Sequence, residues 1–263
     1  MPETHLRAAA AAVAIPTQTD FPAGSLPPGQ EAELRASAVV IEGDRRLCMV
    51  SCDTLVIPED VLEEAVAQIV ARTGIAFEDL LVCATHTHHA PGTINVLGCT
   101  RDREFCTRLG EAIVAAAEEA CGGLDDTADV ELHFALSQEA SISGNSRYLL
   151  RDGTIAWYNY PWEDVIRPTG PHDPDLPLLA LRRPGGEMAA LIFKHATHNI
   201  GALTKGARSP GFFGLAAQEL ERRHGGTTLF LPGAFGSSHN TGAFGSNENI
   251  HAVGAAECVH RVV

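Results

Sequence analysis

The chain has 263 residues, enough for one large domain or two small ones and for a sizeable core, and its 19 Lys+Arg against 33 Asp+Glu give a formal charge of −14. That balance argues against DNA or an anionic membrane surface as partner, because neutralising phosphates needs clustered cations. Seven cysteines, an odd number with no C-x-x-C pair, suggest neither a disulfide framework nor a cysteine zinc knuckle, and a reducing cytoplasm is the expected location.

The alanine-rich run at 8–15 has no basic segment before it and is expected to be an opening strand, not a signal-peptide core. No apolar run approaches the ~18 residues that a membrane helix needs. Residues 16–35 are rich in Pro and Gly and read as loop. The runs 36–41 and 47–52 flank EGDRR as a β-hairpin. Val61, Leu62, Ala65, Val66, Ile69 and Val70 recur at helical spacing, which predicts a helix over 58–73 stopped by Gly74. A short buried strand at 80–84 follows, then a helix at about 102–121 ended by Gly122-Gly123. After a strand at 130–136, residues 141–175 read as loop and carry Trp157, Tyr158, Tyr160 and Trp162, expected to be loop packing. A second hairpin joins 176–182 to 189–194 across RRPGGE. A helix at 211–224, a strand at 228–231 and a helix beginning at 249 complete the chain. Strands alternate with helices while hairpins intrude, so the expected fold is α/β, a mixed β-sheet with helices packed on it in a single layered domain over 1–263. No internal sequence repeat is evident.

Chemistry gathers at apparent strand ends. In LLVCATHTHHAPG (80–92), His86 and His88 are two apart and share one face of extended backbone beyond a buried strand. Two imidazoles presented together suit zinc but do not fill its shell. The run ALIFKHATHN (190–199) ends in His195 with His198 three further on, and TLFLPGAFGSSHN (228–240) ends in Ser237, Ser238, His239 and Asn240. If those strands are neighbours, their polar ends form one pocket. His133, His172, His224, His251 and His260 read as ordinary solvated or core residues. Asp53 reads equally as a carboxylate orienting a ligand histidine or as the cap of the next helix.

The order VSCD, ATHTHHAPG, GNSRY, KHATHN and PGAFGSSHN resembles the N-terminal catalytic domain of the neutral/alkaline, non-lysosomal ceramidase family, with THTH before Pro-Gly as its most specific piece. The resemblance implies a zinc-dependent hydrolase of a C–N amide bond, acting on a small-molecule or lipid amide substrate of the sphingolipid class. It implies zinc on His86 and His195, His88 beside the scissile group, Asn145 and Arg147 on the substrate, and Ser238 in the place of a catalytic serine. The family's Gly-Asp-x-Ser-Pro-Asn segment lacks its acid and proline here, and Gly211 stands where relatives carry aspartate. Two further family ligands, a glutamate and a tyrosine, come from sequence beyond the matched stretch, so the domain is expected to be incomplete at its C-terminus unless His198, His239 or Asp53 completes the shell. Two other readings stay open: a non-catalytic ligand-binding relative, and an amidohydrolase barrel, which the hairpins and strand count disfavour.

Overall fold

The computed structural model describes residues 5–19, 21, 25–96, 98–124, 129–157, 160–240 and 254–263. Strands β1 (Arg7–Ala14), β2 (Arg35–Glu42) and β3 (Arg46–Cys52) form an antiparallel meander, and α1 (Glu59–Thr73) carries the chain to β4 (Leu80–Ala84), which pairs parallel to β3. Helix α2 (Arg103–Gly123) then crosses to β5 (Glu131–Gln138). The expected loop that follows holds four short strands, β6 (Gly144–Asn145), β7 (Tyr148–Leu150), β8 (Ile155–Ala156) and β9 (Val165–Pro168). Next come the hairpin β10 (Asp175–Arg182) and β11 (Met188–His195), α3 (Gly211–His224), β12 (Thr227–Pro232), β13 (Ser238–His239) and α4 (Ala255–Val262). Of the helix expected from 249, residues 249–253 lie outside the described residues.

The mixed α/β class is as expected, and its main strands divide between two four-stranded sheets, ordered β1-β2-β3-β4 and β12-β11-β10-β5. Each is an antiparallel meander extended by one parallel strand after a helical crossover, so topology repeats where sequence does not. No closed barrel is present among the described strands.

Strand alternation explains the layering. On β2 and β3, Ala36, Ala38, Val40, Cys48, Val50 and Cys52 face α1 and α2, while Val39 and Met49 turn the other way. They meet Ala190, Ile192 and Leu229 of the second sheet. Phe193 and Phe230 point out of that sheet onto Phe212, Phe213 and Leu220 of α3. The order of layers is helix, sheet, sheet, helix, with mainly apolar side chains between them.

Two local details follow. Asp102 caps α2 by accepting the Phe105 N–H at 2.9 Å. That helix runs through Gly122-Gly123, where the sequence predicts a stop, because it packs on β1 so closely that a Cβ at Gly123 would sit 3.1 Å from the Ala9 Cβ. Tertiary contact there outweighs the low helix propensity of glycine.

Candidate metal centre

Strand β4 ends at Ala84, and the Thr85 N–H donates to the Cys52 carbonyl at 2.8 Å, holding the exit against β3. Thr85 Oγ1 also donates to buried Asp53 at 3.1 Å, and the Arg35 N–H reaches the other carboxylate oxygen at 3.0 Å. Asp53 thus fixes the strand end that leads to the histidines; helix α1 begins behind Pro58 instead. At His86 the backbone enters the left-handed region, φ 59°, the one described non-glycine residue to do so. That turn lets His86 Nδ1–H donate to the Leu55 carbonyl at 2.8 Å.

Strand β11 supplies the opposing wall. Beyond its end the His198 N–H donates to the Ser238 carbonyl at 2.8 Å, and His198 Nδ1–H donates to the Phe235 carbonyl at 2.9 Å. The two loops touch directly, the His88 N–H reaching the Asn199 carbonyl at 3.4 Å. The strand ends converge across two stacked sheets, not along one.

The product is a cluster of His86, His88 and His198 whose candidate ligand atoms all lie within 4.8 Å of one another. Ring centroids are 4.9 Å apart for His86–His88 and His86–His198, and 5.6 Å for His88–His198. His86 and His198 commit Nδ1–H to backbone carbonyls, which fixes the tautomer and leaves Nε2 as a lone-pair donor toward the centre. Desolvation lowers the pKa of all three; His88 and His198 fall to about 4, helped by the charge that the neighbouring imidazoles would carry. Neutral imidazoles with preset orientation are the form that binds a metal. Ligands on one tetrahedral zinc sit about 3.4 Å apart, so the rings need to close only modestly. The donor set fits a divalent ion.

His195 is not part of the cluster. As the last residue of β11, paired with Pro232, it is fully buried against Phe213, where Nε2–H donates to the Glu139 carbonyl at 3.0 Å and Nδ1 accepts from Thr197 Oγ1 at 2.8 Å. Both nitrogens are used inside the protein, and His198 stands where His195 was expected. A sequence signal for this existed in the tripeptide Ala-Thr-His, present at both 84–86 and 196–198.

Around the cluster, β13 pairs with β6, placing Ser238 opposite Asn145 and His239 opposite Gly144. Ser238 is buried, and its carbonyl holds His198. His239 stacks on His198, centroids 4.0 Å apart at 11°, and its Nδ1 lies 2.8 Å from Ser146 Oγ. Arg147 donates to Ser146 Oγ at 2.9 Å, and its guanidinium lies over Trp157, 4.2 Å from the ring centroid. Trp157 therefore faces the site, whereas Tyr160 and Trp162 pack on Tyr148; Tyr158 lies outside the described residues. Asn145 accepts the Arg147 N–H at 2.9 Å and shapes the loop. Beside it opens a groove of about 700 Å³, walled by Tyr148, Trp162, Val165 and Ile166.

An α/β sandwich with an imidazole cluster at its converging strand ends defines the class of protein. Solved structures share that fold: a ceramidase complexed with C2 (TM-score 0.71, 22% identity, 99% of this chain and 43% of that one). The neutral ceramidase from Pseudomonas aeruginosa gives a TM-score of 0.70 at 22% identity, over 98% of this chain and 44% of that one. The chain thus spans less than half the length of the solved structures it matches. No protein-family model and no curated protein matches it.

Proposed function

We propose that this chain carries the centre of a zinc-dependent hydrolase that cleaves the C–N bond of an N-acyl amide, the class to which ceramide belongs. The observation that carries the reading is the pairing of His86 and His198, two neutral imidazoles from separate sheets with Nδ1 anchored and Nε2 turned to a common centre. They would hold the ion. The chemistry such an ion supplies when bound is Lewis-acid polarisation of a carbonyl and acidification of water to a pKa near 7.

His88 has a different task. It is the most exposed of the three, and its side chain makes no hydrogen bond to another described residue. Neutral at working pH, it donates to the carbonyl oxygen as charge develops there, a contribution of ~3 kcal/mol for a well-placed donor. Asn145 and Arg147 orient the polar part of the substrate, and Ser238, whose carbonyl holds His198, is the candidate catalytic serine. The groove beside β6 offers an apolar bed for an acyl chain.

Zinc loading tests the reading. Purified protein dialysed against trace zinc should retain about one equivalent, as should H195Q, whose loss is in folding stability. H86A and H198A should each retain little, and lose amide hydrolysis with it. Wild type holding less than about a tenth of an equivalent, or H198A binding normally, would end the proposal.

A further inference from the structure

We infer that Arg147 makes the site selective for amides whose amine part carries a carboxylate, N-acyl amino acids in preference to uncharged N-acyl amides. The inference rests on the hydrolase reading for the scissile bond, but the carboxylate subsite has its own evidence.

The chain holds more acids than bases, 33 against 19. Accordingly many described cations pair with a carboxylate, among them Arg35 with Glu221, Arg101 with Asp60 and Lys194 with Asp173. Arg147 pairs with none among the described residues, though it is partly buried, where an unpartnered charge is costly. It is also held rigidly: one face lies over Trp157, one terminal nitrogen donates to Ser146 Oγ at 2.9 Å, and the other donates to the Gly236 carbonyl at 3.4 Å. A guanidinium has five N–H donors, so most of the fork is left for a ligand.

Its position ties it to the candidate centre. Arg147 bonds Ser146, Ser146 contacts His239, and His239 stacks on His198. The cation therefore stands beside the imidazole wall, linked to it through Ser146 and His239. A planar, stacked guanidinium of this kind receives a carboxylate through two parallel hydrogen bonds. An amide bound at the cluster with a carboxylate on its amine side would satisfy it; a hydroxyl or a carboxamide would leave the charge unpaired.

The test compares N-octanoylglycine with its uncharged isostere N-octanoylglycinamide, and with octanoate, by calorimetric titration of metal-stripped protein. N-octanoylglycine should bind at least ~10-fold more tightly than the glycinamide. R147M should bring that ratio to about one, and R147K, which keeps the charge but not the fork, should restore part of it. Equal binding of acid and amide by the wild type, or a preference that survives in R147M, would overturn the inference. Octanoate binding as tightly as N-octanoylglycine would move the carboxylate to the acyl product and overturn the amine-side assignment. Turnover by zinc-loaded protein is measured separately. If neither amide is cleaved, the hydrolase reading falls while the binding ratio still decides the role of Arg147.

Discussion

His86 shows how much a single residue is asked to do here. A left-handed conformation costs a residue bearing a Cβ roughly 1–2 kcal/mol, and it is held because the turn aims Nδ1 at Leu55 and Nε2 at the centre. Strain at a site overdetermined by its surroundings is a common companion of function. Glycine relieves that strain and alanine does not. Metal-free H86G should therefore be more stable than metal-free H86A by about 1 kcal/mol in urea unfolding, although neither binds zinc. Equal midpoints would show that the φ angle relaxes without a ligand to hold it. His195 makes the opposite case: it resembles a ligand in sequence but serves as a core residue with both nitrogens spent.

At the scale of elements, the start of α3 governs the loop that carries His198. Gly211 has φ 73°, and a Cβ there would lie 2.2 Å from Asn199 Oδ1. Asn199 is fully buried, donates to the Pro210 carbonyl at 3.0 Å and accepts from the Phe213 N–H at 3.3 Å, while its carbonyl receives the His88 N–H. The glycine that replaces the expected aspartate is thus a steric requirement of this loop. G211A should destabilise the fold by at least about 1 kcal/mol through the positive φ alone, and should weaken zinc retention by shifting Asn199. A variant with unchanged melting and zinc content would show that Asn199 can move freely.

For the molecule as a whole, two sets of desolvated groups set opposite pH dependences. His88 and His198 have pKa values near 4 and His239 near 3, all depressed mainly by desolvation. Folded values below the unfolded value mean stability that is present above about pH 6.5 and lost as pH falls through the folded pKa. Asp53 runs the other way: burial raises it to about 7 despite Arg35 and Thr85, so its contribution is present below its unfolded pKa of 3.8 and is lost as pH rises through 7. Metal-free protein should melt highest between these limits. D53N should remove the decline as pH rises toward 7 and, because its window overlaps that of the histidines, steepen the fall toward acid, whereas H198Q should soften the acid limb. An acid limb that H198Q leaves unchanged would assign it elsewhere. Arg35 at the start of β2 pairs with Glu221 of α3 next to Asp53, and Glu221 also accepts the Thr228 N–H of β12 at 2.7 Å, so this polar seam ties the first sheet to α3 and through it to the second sheet.

The sequence by itself determined the long elements and half of the site. Apolar β-type runs bounded by turn residues located the long strands, helical spacing located α1, glycine stops helped place α2, and a His-x-His beyond a buried run marked His86 and His88, because these signals depend only on neighbours along the chain. Only the tertiary structure decided that the strands form two stacked sheets, since a strand buried on both faces reads the same under a helix or under another sheet. It also decided which imidazole of the pair at 195 and 198 meets His86. That choice turns on where β11 stops and on carbonyls that β13 and the preceding loop bring from forty residues away. Contacts of that range leave no local periodicity to read, so the ion's second wall emerges only when the two sheets close on each other.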